Sequence, residues 1–237
     1  MEITFEEFNE RVSELNMSIQ EHYAGFEKEY ERKILPDGLA NIHKYYDTSI
    51  KILWILKEPY DTDNDSAGGW AITGLFTREW MLKKKKSNGT WYPIIYTSYA
   101  ILNSDIAHYE DMADIPDEPS MINILQKIAF INVSKFAGGT TSNNREISKA
   151  YQKHKEILLK QIEVFSPDVI IGGNTIHNFI DDLGLKDAPE GYDEYNFWRK
   201  DSKIYIAADH PRRKTGKEWQ EEYVDSILNI VRENLKK

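Results

Sequence analysis

Four short polar stretches carry the side chains best able to do chemistry: Lys57-Glu58-Pro59-Tyr60, Asn132 to Lys135, Gly172-Gly173-Asn174, and Asp209-His210-Pro211-Arg212-Arg213. The chain of 237 residues contains no cysteine, which removes disulfides, thiolate nucleophiles, Cys-bound zinc and iron–sulfur clusters together. Chemistry must then run on carboxylates, imidazoles, amides or hydroxyls. A strand-end carboxylate such as Glu58 either caps the next turn or takes part in catalysis. Asn132 offers one carbonyl acceptor beside an amide donor, a pair that either steadies a turn or reads a ligand edge of complementary pattern. His210 precedes a proline, which holds it extended, and is either satisfied by backbone or free to serve a ligand. Paired histidines at ligand spacing are absent, so neither a metal nor another cofactor is expected.

Each of these stretches follows a short apolar, β-branched run of the kind that forms a strand buried on both faces: Ser49 to Leu56, Ile128 to Val133, Asp168 to Ile171, and Lys203 to Ala207. Helical periodicity fills the space around them. Phe5, Phe8, Val12, Leu15, Ile19, Tyr23 and Phe26 recur three or four apart, which predicts one or two helices between Thr4 and Ile34. Pro36-Asp37-Gly38 reads as a turn, with a second helix following to Tyr46. Apolar stripes over Ile147 to Phe165 and Lys217 to Leu235 predict two more helices. Strands alternating with helices imply an α/β fold, a three-layer α/β/α sandwich with a short, mainly parallel central sheet. It is read as one domain over residues 1–237, with the helical region 1–47 packed on it. Ligands in such sheets sit beyond the carboxyl ends of the strands, which is why the polar stretches there matter. Two polar connections, Tyr60 to Gly74 and Phe136 to Glu146, read as loops.

Composition sets the outer bounds. With 41% hydrophobic residues the chain can bury a core, which excludes intrinsic disorder. Its longest unbroken apolar run, Ile52 to Leu56, falls far short of the ~20 residues of a membrane helix. The acidic start MEITFEEFNERV carries no export pattern, so a cytoplasmic protein is expected. A net charge of -9 argues against blanket affinity for nucleic acid and leaves room for a local basic groove. The four lysines from Lys83 to Lys86 read as a solvated helix face.

The order of the strand-end motifs resembles the uracil-DNA glycosylase superfamily over about Ile52 to Arg213. The matching segments are LKEPYD at Leu56 to Asp61, TGLF at Thr73 to Phe76, FINVSKF at Phe130 to Phe136, and DHPRRK at Asp209 to Lys214, with SPDVIIGGN at Ser166 to Asn174 as a further strand. The resemblance implies a DNA glycosylase-like hydrolase that flips uracil or a related damaged base out of DNA and cleaves its N-glycosidic bond. It places Glu58 where an acidic residue orients water and faces the developing sugar cation, a charge it would stabilise only as it forms. Asn132 falls at the base-reading position, where its amide suits the N–H beside a carbonyl on uracil. His210 would donate to the departing base anion. Tyr60 and Phe76 match a wall tyrosine and a stacking phenylalanine, with stacking offsetting the few kcal/mol of extruding a base.

The chain also departs from that pattern. Leu56 replaces a glycine, Lys57 a glutamine, Glu58 an aspartate and Asp61 a histidine, and the final motif carries Arg212, Arg213 and Lys214 in place of serine, proline and leucine. With Lys217 these cations form a cluster that suits phosphates, since guanidinium binds phosphate bidentately. Two other readings stay open. One is a non-catalytic nucleic-acid or nucleotide-binding protein that retains the fold. The other is an α/β hydrolase pairing Asp209-His210 with a serine such as Ser134, although no GxSxG elbow surrounds any serine.

Overall fold

The computed structural model describes residues 3–61, 68–83, 88–139, 141–213 and 216–235. Thr4 starts the first helix, α1 (Phe5–Tyr30), through a capping box: its side chain accepts from the Glu7 backbone while the Glu7 carboxylate accepts from the Thr4 N–H at 2.8 Å. The periodic residues Phe8, Val12, Leu15, Ile19 and Tyr23 are its buried face, so the two-helix option resolves to one helix. A two-residue strand, β1 (Gly38–Leu39), and a short helix, α2 (Ile42–Tyr46), follow. The stretch Pro36-Asp37-Gly38 therefore leads into a sheet edge, where Gly38 takes a φ of 113°.

The sheet order is β1-β3-β2-β4-β7-β6-β5. Its centre consists of the expected runs, β3 (Ala129–Asn132), β2 (Ile52–Leu56), β4 (Val169–Gly172) and β7 (Lys203–Ile206), all mutually parallel. Antiparallel strands flank them: β1 on one side, and on the other the hairpin of β5 (Glu190–Tyr192) and β6 (Asn196–Lys200). Leu53 and Ile55 face the layer of α1 and α5 (Asn144–Phe165). Trp54 and Leu56 face the layer of α4 (Asn88–Leu102) and α6 (Lys217–Asn234), and the Trp54 indole donates to Ser98 on α4 at 3.0 Å. The architecture is thus a three-layer α/β/α sandwich.

Helix α4 and the hairpin are elements the sequence patterns do not announce. The segment NGTWYPIIYTSYAIL is apolar nearly all round and carries Pro93 inside, so it shows no stripe, yet it buries Trp91, Ile94, Ile95 and Ile101. Between α1 and α5, His22 Nε2 and His154 Nδ1 lie 2.9 Å apart, and burial with nearby cations pushes His154 down to about 4, so one neutral ring donates to the other. Among the described residues, no helix is long and apolar enough to cross a membrane.

A candidate active site at the carboxyl ends of the strands

The connections out of β2 and β3 leave on opposite sides. From β2 the chain passes through α3 (Arg78–Lys83) and α4 before entering β3, whereas from β3 it passes through α5 before entering β4. Adjacent strands whose exits diverge in this way leave a crevice beyond their carboxyl ends, the usual ligand position in an open α/β sheet. Lys57 and Glu58 stand at the end of β2, and Asn132 closes β3 opposite Leu56. The two strands stay zipped past that point, with Ser134 N–H donating to the Lys57 carbonyl at 2.8 Å.

Asn132 is buried, 1% exposed, and its Nδ2 has no hydrogen-bond partner. Strand alternation sends its side chain to the face that also receives Phe130, toward α4. Its backbone, in contrast, is fully held. The N–H donates to Asp37 Oδ2 at 2.7 Å, and the carbonyl accepts from Lys135 Nζ at 3.1 Å. An orphaned amide donor on an otherwise fixed buried residue is a cost that a ligand acceptor would remove.

His210 arrives from β7, two strands away from β2 in the sheet, and a glycine makes the approach possible. A Cβ on Gly173 would lie 2.4 Å from Leu56 Cδ2, 3.1 Å from Pro211 Cδ and 3.6 Å from His210 Cα. A side chain there would have to displace the Leu56 methyl and press on the Pro211 ring. The His210 Nδ1 accepts from the Arg212 N–H at 3.1 Å, which assigns the ring proton to Nε2. Burial, then the charges of Lys57 and Arg212, push its pKa down to about 4. His210 is therefore a neutral ring with a free N–H donor at neutral pH. Partial desolvation and then Lys57 also lower His177, which follows β4.

Glu58 lies against the connection from β3 to α5. A Cβ on Gly138 would come within 2.2 to 2.5 Å of the Glu58 carboxyl atoms, so the bare Gly138 backbone forms the carboxylate's seat. Gly138 N–H also donates to the Pro59 carbonyl at 2.8 Å, and Tyr60 and Gly138 form an isolated parallel bridge. We predict that Gly138→Ala displaces the Glu58 carboxylate. The side-chain end is flexible, so thermal stability should fall by less than about 1 kcal/mol, while any activity that depends on Glu58 should fall measurably in a steady-state assay. An alanine variant with undiminished activity would show that the seat is immaterial.

The remaining sequence-selected residues are not all presented in the same way. Tyr60 is 54% exposed at the crevice edge. Phe76 is 2% exposed and packs edge-on against Trp91 and Phe130, with ring centroids 4.9 and 6.1 Å away, so in this conformation it fills core. Arg212 and Arg213 are exposed, but the Arg213 guanidinium is taken up by Asp209, while the Arg212 stem runs beside Gly89 in the first turn of α4. Lys214 lies outside the described residues, as do Lys84, Lys85 and Lys86; Lys83 pairs with Glu79. Ser134 donates to the Phe136 carbonyl rather than to His210. A cleft of about 620 Å³ opens between β4, β7 and the β5–β6 hairpin, lined by His177, Trp198 and Asp209 among others but by none of Glu58, Phe76, Asn132 or His210. Asp37, Gly138 and His177 join the site only through tertiary contacts. Neither a known protein family nor any curated protein matches the chain.

Proposed function

We propose that the protein is a DNA glycosylase-like hydrolase of the cytoplasm, which removes uracil or a related damaged base by cleaving the N-glycosidic bond and needs no cofactor. The single observation that carries this reading is the buried, unpartnered amide of Asn132 at the end of β3. A ligand that satisfies Nδ2 must present an acceptor there, and the adjoining Oδ1 asks for a donor beside it. Uracil offers that pair on one edge, and the resemblance to the uracil-DNA glycosylase superfamily assigns the same position to base reading. Glu58 then faces the sugar, orienting water and stabilising positive charge as the bond breaks. His210 donates its Nε2–H to the base as negative charge develops. Tyr60 borders the entrance, and the Phe76 ring must be uncovered from Trp91 for a base to stack on it. Arg212 offers the phosphate contact left after Asp209 has engaged Arg213.

Asn132→Asp tests the reading. A carboxylate accepts where the amide donated, so uracil release should fall and preference should move toward cytosine, by about 10-fold to 10²-fold if the pair is worth ~1–3 kcal/mol. Release of labelled bases from matched oligonucleotides, with melting curves to verify folding, measures this. An unchanged uracil-to-cytosine ratio in a folded, active variant would remove Asn132 from the role. The cleft beside β7 favours a second reading, a nucleotide-binding protein without turnover, because its volume suits a nucleotide while the residues proposed for catalysis lie outside its lining. Tight nucleotide binding with no base release would select that alternative.

A further inference from the structure

We infer that the same strand ends hold a second activity, in which the Lys57 amine attacks the sugar aldehyde of an abasic site and cleaves the DNA strand by β-elimination. The inference rests on the nucleic-acid reading of the site but not on base removal itself. Lys57 is the first residue after β2, at the crevice, and adjoins the carboxylate proposed to face the sugar. Its Nζ donates to Asn144 Oδ1 at 2.7 Å, at the start of α5, while the Glu58 carboxylate lies on Gly138 in the connection that leads to that helix. The ammonium is near enough to His210 and His177 to depress both rings. The amine thus follows β2 directly, beside the carboxylate of the next residue and anchored to the first residue of α5.

Among the described residues, Lys57 is hydrogen-bonded to no carboxylate. Lys33 and Lys149, in contrast, pair with the carboxylates of Glu27 and Glu146. Lys57 bonds a neutral amide instead, and half-burial draws its pKa below the usual lysine value, with only the charge of Glu58 opposing. A desolvated lysine that can shed its proton is the form that attacks carbonyls.

The steps balance without any further reagent. Lys57 first loses a proton to solvent. The free amine then adds to C1′ of the ring-opened deoxyribose, forming a C–N bond, and loss of water leaves a protonated imine. That cation acidifies C2′, whose proton passes to the Glu58 carboxylate. The electron pair left on C2′ forms the C2′=C3′ bond and expels the 3′-phosphate. Water finally hydrolyses the imine and returns the amine. The substrate, an abasic deoxyribose, is the product of the proposed hydrolysis and can also be supplied ready-made.

An oligonucleotide carrying a preformed abasic site provides the test, with borohydride added to reduce the imine. The wild-type protein should form a covalent adduct that peptide mapping locates on Lys57, and without borohydride it should nick the strand. Lys57→Ala should lose both. The mapping is done on wild-type protein, so it does not depend on how well the variant folds. Absence of an adduct, an adduct on another lysine, or undiminished trapping by Lys57→Ala would overturn the inference. If trapping on Lys57 occurs but uracil is never released, base excision fails and the lyase stands. Uracil release with no trapping on abasic DNA would reject the lyase alone.

Discussion

Replacing Lys135 with methionine should destabilise the protein by about 3–5 kcal/mol, the usual consequence of removing one partner from a buried ion pair. Lys135 and Asp37 are both fully buried and lie 2.8 Å apart. The ammonium also donates to Gln161 Oε1 at 2.8 Å and to the Asn132 carbonyl, while Asp37 accepts from Asn132 N–H and from Gln161 Nε2 at 3.1 Å. The sheet explains why charge is placed here. Strand β1 begins only at Gly38, opposite Phe130, so the Asn132 N–H two residues on has no strand to pair with and takes the Asp37 carboxylate instead. Burial draws the pKa of Lys135 down, and Asp37 opposes that shift. Methionine fills similar volume but strands the Asp37 charge. Adding Asp37→Asn should recover much of the loss, because the double variant leaves no buried charge unpaired. Urea unfolding at pH 7 measures both. A loss below about 1 kcal/mol for the single variant, the worth of an exposed pair, would show that the bridge does not hold this corner of the sheet.

His210→Ala should lower turnover by about 10²–10³, the typical effect of removing one donor aimed at a developing anion, while changing DNA affinity little. The expectation rests on which ring nitrogen is free. Arg212 N–H occupies Nδ1, leaving the Nε2 proton to point at a ligand, and burial with the charges of Lys57 and Arg212 keeps the ring neutral down to about pH 4. A neutral donor strengthens its hydrogen bond only as charge moves onto the base, so its loss belongs to the transition state. Because the ring gains its proton only near pH 4, it should contribute no inflection to the rate between pH 5 and 8. Single-turnover rates and equilibrium binding of the same oligonucleotide separate the two effects. Equal losses in rate and affinity would make His210 a binding or structural residue.

The central strands were legible because Ile52 to Leu56 and its three counterparts are buried on both faces and short. The hairpin Glu190 to Lys200 was not. Its strands span only three and five residues and show no alternation to read: β5 buries no residue and β6 buries the neighbours Phe197 and Trp198, so neither separates from loop. Helix α4 escaped because burial all round erases the stripe that identifies an amphipathic helix. In the site, Glu58, Asn132 and His210 could be singled out because a strand end is visible in the sequence and ligands gather there. The residues that hold them could not. Asp37 reads as a turn residue until the two-residue β1 stops short of Asn132, and Gly138 and Gly173 read as loop glycines until Glu58 and Leu56 fill the space a Cβ would need. Phe76 matches a stacking position by motif, yet the order of the chain carries no information about the Trp91 ring that covers it.

The crevice beyond β2 and β3 is proposed to break an N-glycosidic bond. The most direct measurement incubates the purified wild-type protein with labelled oligonucleotides, one containing uracil and one matched strand without it, and follows both free base and alkali-labile abasic sites. Stoichiometric release of uracil with appearance of abasic sites, lost in Glu58→Gln, is the predicted result. Intact uracil-containing DNA, single- and double-stranded, after prolonged incubation with folded protein would contradict it.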